Sequence, residues 1–483
     1  MRKELENFTK FDVYELVKDV GQHFITSGWV IIEKEKEGRW IIKARLVIHG
    51  NQEKEAVRSD SPTIKKQNLR IQFAIAVQNN WTIHSVDVQA AFLQAVNLDR
   101  EIYVKPPAEA NNQGLLWKLN KPMYGLEDSG RQWYITLVQF LEERGCQTLP
   151  TDLACLFWHK DGICHGMITI HVDDIQYCGS PAFHEHVIDP MLKKFKFGMV
   201  QKGDFKCLGW SLKQHQDYLT IDQLSYVENK IAPVDIAIAG RNSEEQLNPE
   251  EVSKMRGIIG KLRWLVDQSR PDLAYDELEL SMNANKAAIK DVKLSNKMVN
   301  MVRNTPLKLK FNKLDGDQWY ISVFSDASKN TLPDGESSAM GYMIFLTTGH
   351  VTGEVKNSCP IYWRSAKIPR IIGSSFEGEA IALEEAINVG YTIMKDLACI
   401  TGIPENMIKV EGVCDADDVV KAVNNTTQKS KDRTSWEIGR IRQMLMKKEI
   451  SRVKWHEGSG NVSDALTKRG APKHKVRYDL DRD

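Results

Sequence analysis

The sequence predicts an α/β protein of two or three domains. The chain has 483 residues, which is more than one ordinary hydrophobic core covers. Apolar runs of strand length alternate with longer stretches of helical periodicity along the chain. From about Trp319 the pattern becomes strand-like runs, a helix, a further strand and more helices. This last pattern predicts a separate mixed α/β domain of about 150 residues.

The composition is typical of a soluble globular protein, with 42% hydrophobic and 27% charged residues. No apolar run approaches the length of a bilayer span, and the charged N-terminus lacks a signal-peptide core. The 8 cysteines are scattered singly without a CxxC pair, which favours a reduced, intracellular setting. A net charge of +1 gives no global signal for nucleic acid, so local patches must supply any such binding.

Three aspartates interrupt apolar strands in the first half of the chain. The run 168–172 leads directly into Asp173 and Asp174, which predicts two strands with the carboxylates at the connecting turn. Asp87 lies inside an earlier apolar strand, where a carboxylate is unusual unless it is paired or bound to metal. For the adjacent pair, a polar hairpin tip and a metal site are both open interpretations.

Strand-like runs at 29–32 and 40–48 flank a charged turn. Lys43 and Arg45 lie two positions apart on the second run, so both side chains point to one face. A solvated sheet face is the ordinary explanation. The alternative is a triphosphate site, because the arginine guanidinium binds phosphate oxygens with a fixed fork.

Helical segments follow. The turn Gly125 to Gly130 opens an amphipathic helix, and 250–302 is largely helical with an interruption near 269–272. We interpret the second segment as a separate lobe and 309–319 as a linker strand or loop into the last domain.

Four acidic residues of the last domain lie at the ends of strands or near the starts of helices. Asp326 and Asp415 end strands, Asp464 starts a helix, and Glu379 lies on a helix for which Ser375 is the expected N-cap. Mg²⁺ prefers oxygen ligands and bridges protein carboxylates to phosphates, and two-metal sites hold ions roughly 3.5–4 Å apart. For any single carboxylate a surface position is the ordinary explanation. The order of all seven favours two metal-binding clefts.

Short motifs occur in the order of a known family. The chain resembles the reverse transcriptase–ribonuclease H portion of a copia-type retrotransposon polyprotein over nearly its whole length. The motifs are KARLV (43–47), DSPT (60–63), VDV with AFL (86–93), YGL and RQWY (124–134), VDD (172–174), LGW (208–210), SRPDLAY (269–275), FSDAS (324–328), SSFEGEA (374–380), CDADD (414–418) and SDALTK (463–468).

The resemblance implies a right-hand polymerase fold of palm and fingers with a helical thumb or connection lobe, followed by a ribonuclease H-like mixed-sheet domain. The corresponding boundaries are 1–230 for fingers and palm, 231–312 for the helical lobe and 313–475 for the ribonuclease H-like domain. Residues 476–483 are expected to form a charged tail.

The resemblance also implies a role for each singled-out residue. The polymerase metal ligands would be Asp87, Asp173 and Asp174, and the ribonuclease H ligands Asp326, Glu379, Asp415 and Asp464. His456, in a Gly-rich loop, would assist product release or proton transfer. A solvent-exposed loop residue without a catalytic role is the equal alternative. The nucleotide pocket would comprise Lys43, Arg45, Phe92 as the gate against a 2′-hydroxyl, Tyr124 and Gly125, and the primer grip Leu208, Gly209 and Trp210.

The implied activity is RNA-directed DNA synthesis with cleavage of the RNA strand of hybrids. Its cofactor would be Mg²⁺, two ions per active site, with Mn²⁺ as a possible substitute. Its partners would be an RNA template, a DNA primer, the RNA–DNA hybrid and deoxynucleoside triphosphates, with no membrane. Family resemblance places it in cytoplasmic virus-like particles. The absence of gag, protease and integrase segments is expected of the C-terminal part of a polyprotein or an isolated remnant.

Two departures from the family pattern bear on activity. His171 replaces the usual tyrosine before the paired aspartates, and Glu127 and Gly130 replace a lysine and a proline. The second change is expected to remove a cation near the nucleotide pocket and to loosen the turn. An alternative function is therefore a catalytically weak remnant that binds nucleic acid. A host nuclease or DNA-templated polymerase is disfavoured by the order of the two halves.

Overall fold

The computed structural model describes residues 1–36, 39–316, 318–349, 357–425 and 434–481. The predicted charged turn after 29–32 includes residues 37–38, which lie outside the described residues. Contacts divide the chain into two compact units. Unit 1 comprises Met1–Ile64 and His84–Gln201, and unit 2 comprises Lys65–Ile83 and Lys202–Asp483. The predicted domain boundaries at 230, 312 and 475 stay predictions.

Unit 1 contains more strand than helix, and a short strand, β11, spans the boundary between the two units in the sequence. Numbered along the chain, these strands are β1 Tyr14–Lys18, β2 Ser27–Lys36, β3 Arg39–Ile48, β4 His84–Asp87, β5 Tyr103–Val104, β6 Leu115–Leu119, β7 Cys146–Leu149, β8 Asp152–Lys160, β9 Ile163–His171, β10 Asp174–Gly179 and β11 Gln201–Lys202. The strands of unit 2 are β12 Asp204–Cys207, β13 Trp210–Gln214, β14 Tyr218–Asp222, β15 Leu309–Asn312, β16 Trp319–Ser328, β17 Ala339–Thr348, β18 Ser358–Lys367, β19 Ile408–Cys414 and β20 Arg452–Trp455.

The helices are longest in unit 2. Those of unit 1 are α1 Arg2–Lys10, α3 Ser129–Glu142, α4 Pro181–Phe183 and α5 Asp189–Lys194, with a π-helical turn at His184–Ile188 between the last two. Those of unit 2 are α2 Lys66–Gln78, α6 Leu224–Lys230, α7 Pro249–Gln268, α8 Ala274–Met282, α9 Ile289–Asn304, α10 Ser375–Thr401, α11 Asp417–Asn424, α12 Ser435–Met446 and α13 Lys473–Asp481. None of the helices in the described part of the chain has both the length and the apolar character needed to cross a membrane.

The main sheet of unit 1 carries the predicted aspartate hairpin. Strands β4, β10, β9, β8 and β7 lie side by side in that order, each antiparallel to its neighbour. Helix α3 packs on this sheet through Trp133, Leu137 and Leu141, all fully buried, as its apolar stripe predicts. A three-stranded sheet, β1–β6–β5, and the hairpin of β2 and β3 complete the unit.

Unit 2 contains two sheets. The first is antiparallel in the order β12–β13–β14–β15, and the second has the order β18–β17–β16–β19–β20. In the second sheet β16 is antiparallel to β17 but parallel to β19, which in turn is parallel to β20. Helix α10 covers the β16 side of this sheet, where Gly390 leaves room for Val323. The predicted α/β class, with a mixed sheet in the last part, is confirmed.

The segment interpreted as a linker strand or loop contains strand β15, which pairs with β14 and buries Phe311. Three other sequence expectations differ from the structure. The N-cap of α10 is Ser374, whose hydroxyl accepts from Glu377 N, because Ser375 already has a helical position. Asp464 lies inside a 3₁₀ helix rather than at the start of an α-helix. The predicted charged tail is helical through Asp481, because Val476 and Leu480 give α13 a buried face.

Candidate active sites

A two-residue turn places the paired aspartates at the end of the β9–β10 hairpin. His171 of β9 pairs with Asp174 of β10, so Val172 and Asp173 form the turn. Val172 has a φ of 59°, a left-handed conformation that is a strained exception for a β-branched residue. The indole of Trp133 donates to Val172 O at 2.9 Å and so holds this turn from the side of α3.

Asp87 lies directly across from this hairpin. Strand β4 pairs with β10 so that Asp87 is the partner of Asp174, and Val88 N donates to Asp173 O at 2.9 Å. The three predicted polymerase ligands therefore meet at one edge of one sheet. Among the described residues, their side-chain oxygens do not form a group within 4.8 Å of one another. His171, the residue that departs from the family pattern, is half-buried and bridges to Thr63.

Three of the predicted nucleotide-pocket residues are in contact. The Tyr124 ring lies 5.1 Å from the Phe92 ring, and the Arg45 guanidinium lies 4.8 Å from the Tyr124 ring centre. Burial raises the pKa of Tyr124 to about 12, opposed by Arg45 and reinforced by Asp173 and Asp87. The charges of both aspartates thus contribute to the pKa of Tyr124.

Gly125 fits this pocket because it has no side chain. Its φ is +103°, and a Cβ there would lie 2.0 Å from Ile48 O at the end of β3. Ile48 N donates to Tyr124 O at 2.8 Å, which fixes the strand end beside the pocket. Lys43 lies two residues before Arg45 on β3 and is exposed.

The altered turn before α3 is firmly anchored, contrary to the expected loosening. Asp128 accepts two hydrogen bonds of 2.9 Å from the Arg100 guanidinium, which also pairs with Glu53. The side chains of Arg100 and Asp128 are 11% and 2% exposed. The Arg100 ion pair and the amide of Gln132 hold the pKa of Asp128 below its usual range, despite the opposing effect of burial. Arg100, which is distant in sequence, thus holds the turn in place of the proline that the family pattern has at Gly130.

The four carboxylates of the last domain converge in unit 2. Asp326 lies on β16, Asp415 follows β19 and Asp464 lies on the 3₁₀ helix Val462–Leu466. One oxygen from each lies within 4.8 Å of the other two. Glu379, from α10, accepts from Ala327 N at 3.2 Å and lies in a second such group with Cys414 and Asp415. Carboxylate oxygens at this spacing suit a hard divalent cation.

Burial makes these carboxylates hard to ionise. It raises the pKa of Asp326 to about 7 and that of Glu379 to about 9, and neighbouring carboxylates add to both shifts. The pKa of Asp415 is raised for the same two reasons. Negative charge crowded in a dry site is relieved by a cation, so the donor set fits a metal on electrostatic grounds as well.

Two neighbours of this cluster were not singled out from the sequence. Lys468 Nζ lies 2.7 Å from Asp464 Oδ1 and 3.3 Å from Asp326 Oδ1. The Thr467 hydroxyl donates to Asp326 Oδ2. The available signal was the spacing of Asp464 and Lys468, four residues apart, at which side chains meet on a helical turn.

The Gly-rich loop lies against the cluster. A Cβ on Gly458 would lie 3.0 Å from Asp415 Oδ2, and one on Gly460 would lie 2.1 Å from the His456 ring. His456 N donates to Cys414 O at 3.0 Å, which places the histidine beside the end of β19. The half-exposed Trp455 donates its indole N–H to Asp415 O.

The predicted primer-grip residues form a second tight hairpin, in unit 2. Leu208 and Gly209 both have positive φ, 49° and 79°, as a two-residue turn between β12 and β13 requires. Trp210 is 3% exposed and packs edge-on against Phe73, so its indole belongs to the core.

Comparison with known proteins identifies the class of the chain. Residues 11–243 match the family model described as reverse transcriptase (RNA-dependent DNA polymerase). The match covers a little under half of the chain.

The curated relatives are retroelement proteins, which confirms the resemblance found in the motifs. The chain is 26% identical over 387 residues to the retrovirus-related Pol polyprotein from transposon RE1 of Arabidopsis thaliana, covering 76% of this chain and 25% of the relative. It is 22% identical over 499 residues to the transposon Ty1-GR1 Gag-Pol polyprotein of Saccharomyces cerevisiae, covering 95% of this chain and 27% of the relative. The chain thus spans about a quarter of the length of these relatives.

Solved structures with similarity include polymerase and nuclease chains. A foamy viral protease–reverse transcriptase in complex with double-stranded DNA is 14% identical, with a TM-score of 0.49, and the match covers 95% of this chain and 69% of that one. The ribonuclease H1 of Halobacterium salinarum is 14% identical, with a TM-score of 0.22, and covers 31% of this chain and 94% of that one.

Proposed function

We propose that this chain is an RNA-directed DNA polymerase that also cleaves the RNA strand of RNA–DNA hybrids. The observation that carries the proposal is the pairing of Asp87 with Asp174 across β4 and β10, beside Asp173 on the turn. This arrangement lies within the segment that matches the reverse transcriptase family model. A strained turn next to paired carboxylates is typical of a functional site.

The cofactor that we propose is Mg²⁺, two ions in each active site, with Mn²⁺ as a substitute. Asp87, Asp173 and Asp174 would hold it in unit 1. In unit 2 the ligands would be Asp326, Glu379, Asp415 and Asp464, three of which already lie within 4.8 Å. When bound, such ions neutralise the charge that develops on phosphate oxygens during in-line displacement.

The residues around the hairpin would bind the incoming deoxynucleotide. Arg45, with Lys43 on the same strand face, would bind the triphosphate. The Phe92 ring, which contacts Tyr124, would exclude a 2′-hydroxyl. Gly125 would hold the Tyr124 backbone close against the end of β3, where a Cβ would meet Ile48 O, and Leu208–Gly209–Trp210 would support the primer strand.

In unit 2, His456 would move with the Gly-rich loop to transfer a proton or to release product. The hybrid, an RNA template and a DNA primer would be bound through phosphates and helix shape. Binding should therefore weaken steeply with salt and depend little on sequence. By the same resemblance, we place the activity in cytoplasmic particles.

The test is primer extension on an RNA template by the purified chain, together with cleavage of a labelled hybrid. Asp173→Asn should abolish synthesis and leave cleavage, whereas Asp326→Asn should do the reverse. Each variant thus serves as the folded control for the other. Failure of the unaltered chain to incorporate nucleotides with either Mg²⁺ or Mn²⁺ would contradict the polymerase proposal.

The alternative is a weakly active remnant that binds nucleic acid. His171, beside the paired aspartates, is the observation that favours it. Binding of the hybrid at nanomolar to micromolar concentration without turnover in either assay would support the alternative. Restored synthesis in His171→Tyr would assign the defect to that residue.

A further inference from the structure

A lysine side chain lies among the ribonuclease H carboxylates. Lys468 Nζ contacts both Asp464 Oδ1, at 2.7 Å, and Asp326 Oδ1, at 3.3 Å. The Asp326 side chain is 1% exposed, so water gives its charge little stabilisation. A buried carboxylate without a counter-ion is costly. Within the described part of the chain, Lys468 is the only cation that forms an ion pair with Asp326 or Asp464.

The chain on both sides of Lys468 is fixed. Lys468 N donates to Asp464 O at 3.2 Å. The neighbouring Thr467 hydroxyl donates to Asp326, and its oxygen lies 3.2 Å from Asp464 O. Beyond Lys468, Arg469 pairs with Glu279 of α8 and Lys473 pairs with Asp276. The backbone of Lys468 is thus held, while its long side chain is 44% exposed and has room to turn outward.

The ammonium and a divalent cation would compete for the same oxygens. Asp326 and Asp464 belong, with Asp415, to the group whose oxygens lie within 4.8 Å of one another. Mg²⁺ binds oxygen at roughly 2.0–2.1 Å. An ammonium already within 3.3 Å of two of these carboxylates would then lie too close to the ion, and two like charges would repel.

We propose that Lys468 is a resident counter-ion of the ribonuclease H carboxylates, which a divalent metal ion displaces when it binds. This inference rests on the proposed ribonuclease H function. Lys468 is then a positioning residue: its ammonium contacts both Asp326 and Asp464 and holds the two side chains together before the metal arrives. The same ammonium lowers the affinity for the metal, which must replace it.

The first experiment measures Mn²⁺ binding to the full chain by titration calorimetry or electron paramagnetic resonance at pH 8.5. Asp173→Asn and Asp174→Asn in every sample remove two of the three proposed metal ligands of the polymerase site. Lys468→Gln should bind Mn²⁺ about ten-fold more tightly than its parent, because a competing charge is gone. Lys468→Arg, which keeps the charge, should stay close to the parent. Equal or weaker affinity in Lys468→Gln would overturn the proposal.

Asp415→Asn separates failure of this proposal from failure of the proposed function. It should weaken Mn²⁺ binding in both the parent and the Lys468→Gln background. If Asp415→Asn changes Mn²⁺ binding in neither background, the carboxylates of unit 2 are not a metal site. The proposed ribonuclease H function and the proposed role of Lys468 then both fail. If Asp415→Asn weakens binding in both backgrounds but Lys468→Gln binds like its parent, only the role of Lys468 is wrong.

The second experiment follows the Lys468 amine directly. Acetylation by an N-hydroxysuccinimide ester is quantified by mass spectrometry in the presence and absence of saturating Mg²⁺. Displacement into solvent predicts that Lys468 reacts several-fold faster with Mg²⁺. Lys254 is the control, because its side chain is 43% exposed and forms an ion pair with Glu250. It should react at the same rate with and without Mg²⁺. An unchanged or slower reaction of Lys468 would overturn the proposal.

Discussion

Gly125 shows how one missing side chain shapes the proposed nucleotide pocket. Its φ is +103°, which strains any residue with a side chain, and a Cβ there would lie 2.0 Å from Ile48 O. Gly125→Ala should lower the stability of the chain by more than about 2 kcal/mol, because backbone strain and a backbone clash add. Urea denaturation followed by circular dichroism measures this.

Gly21 offers the matched control. Its φ is +90°, but a Cβ there would meet nothing within 4 Å. Gly21→Ala should therefore show only the strain of the left-handed backbone, about 1 kcal/mol. Equal losses in the two variants would mean that close packing at Gly125 contributes nothing.

The buried carboxylates of unit 2 predict a dependence of stability on pH. The pKa of Glu379 is raised to about 9 and that of Asp326 to about 7, chiefly by burial. Each group binds its proton more tightly in the folded chain than in the unfolded chain. Their contribution to stability is therefore complete below about pH 4 and is lost as pH rises through the folded pKa values.

Thermal unfolding of the metal-free chain between pH 5 and pH 9 checks this prediction. Glu379→Gln, which removes the titrating group and keeps its shape, should flatten the fall in melting temperature over the upper part of that range. Mg²⁺ should also flatten the fall, because a bound cation favours the ionised carboxylates. A slope that persists unchanged in Glu379→Gln would contradict the assignment.

At the scale of elements, the turn before α3 depends on a buried ion-pair triad. Arg100 pairs with Asp128 at 2.9 Å and with Glu53 at 2.5 Å, with all three side chains at most 11% exposed. Arg100→Gln leaves two buried carboxylates without their counter-ion, so we expect a loss of about 3–5 kcal/mol. Stability is measured by urea denaturation, and nucleotide incorporation should fall in parallel.

Arg58 provides the control for this triad. It pairs with Asp60 on the surface, where the two side chains are 71% and 53% exposed. Arg58→Gln should leave the denaturation midpoint unchanged, because water screens such a pair. If Arg100→Gln were equally neutral, the turn would be held by backbone contacts alone.

At the scale of the whole molecule, Arg70 joins three segments of unit 2 that are distant in sequence. Its guanidinium donates to Ile361 O on β18 and to the carbonyls of Asp267 and Gln268 at the end of α7. It also stacks on the Trp363 ring at 3.7 Å. Burial lowers the pKa of Arg70 to about 9, which is the electrostatic cost of placing this group in the core.

Replacement of Arg70 should destabilise unit 2 as a whole. Arg70→Met leaves three carbonyls without their donor, so we expect a loss of at least about 3 kcal/mol. Arg70→Lys should not restore stability, because a single ammonium cannot span three carbonyls and stack on an indole. Lys66→Met, which removes a surface pair with Asp267, is the control and should have little effect on the urea midpoint.

Local sequence patterns determined most of the elements and the predicted ligands. The apolar runs before Asp173 and around Asp87 gave the correct strands, and the stripe of Trp133 and Leu137 gave the correct buried face of α3. Such patterns are readable because the periodicity of a strand or helix is set by its own backbone geometry. The family motifs then predicted how the seven carboxylates divide between a polymerase site and a ribonuclease H site.

Only the tertiary structure decided which distant groups meet. Arg100 against Asp128, Arg70 against Trp363 and Lys468 against Asp326 are separated by 28, 293 and 142 residues. The burial of a carboxylate, and hence its pKa, depends on every segment that packs over it. The same segments decide which counter-ion lies beside it. No periodicity records such neighbours, which is why the altered turn was wrongly expected to be loose and why Lys468 was not singled out.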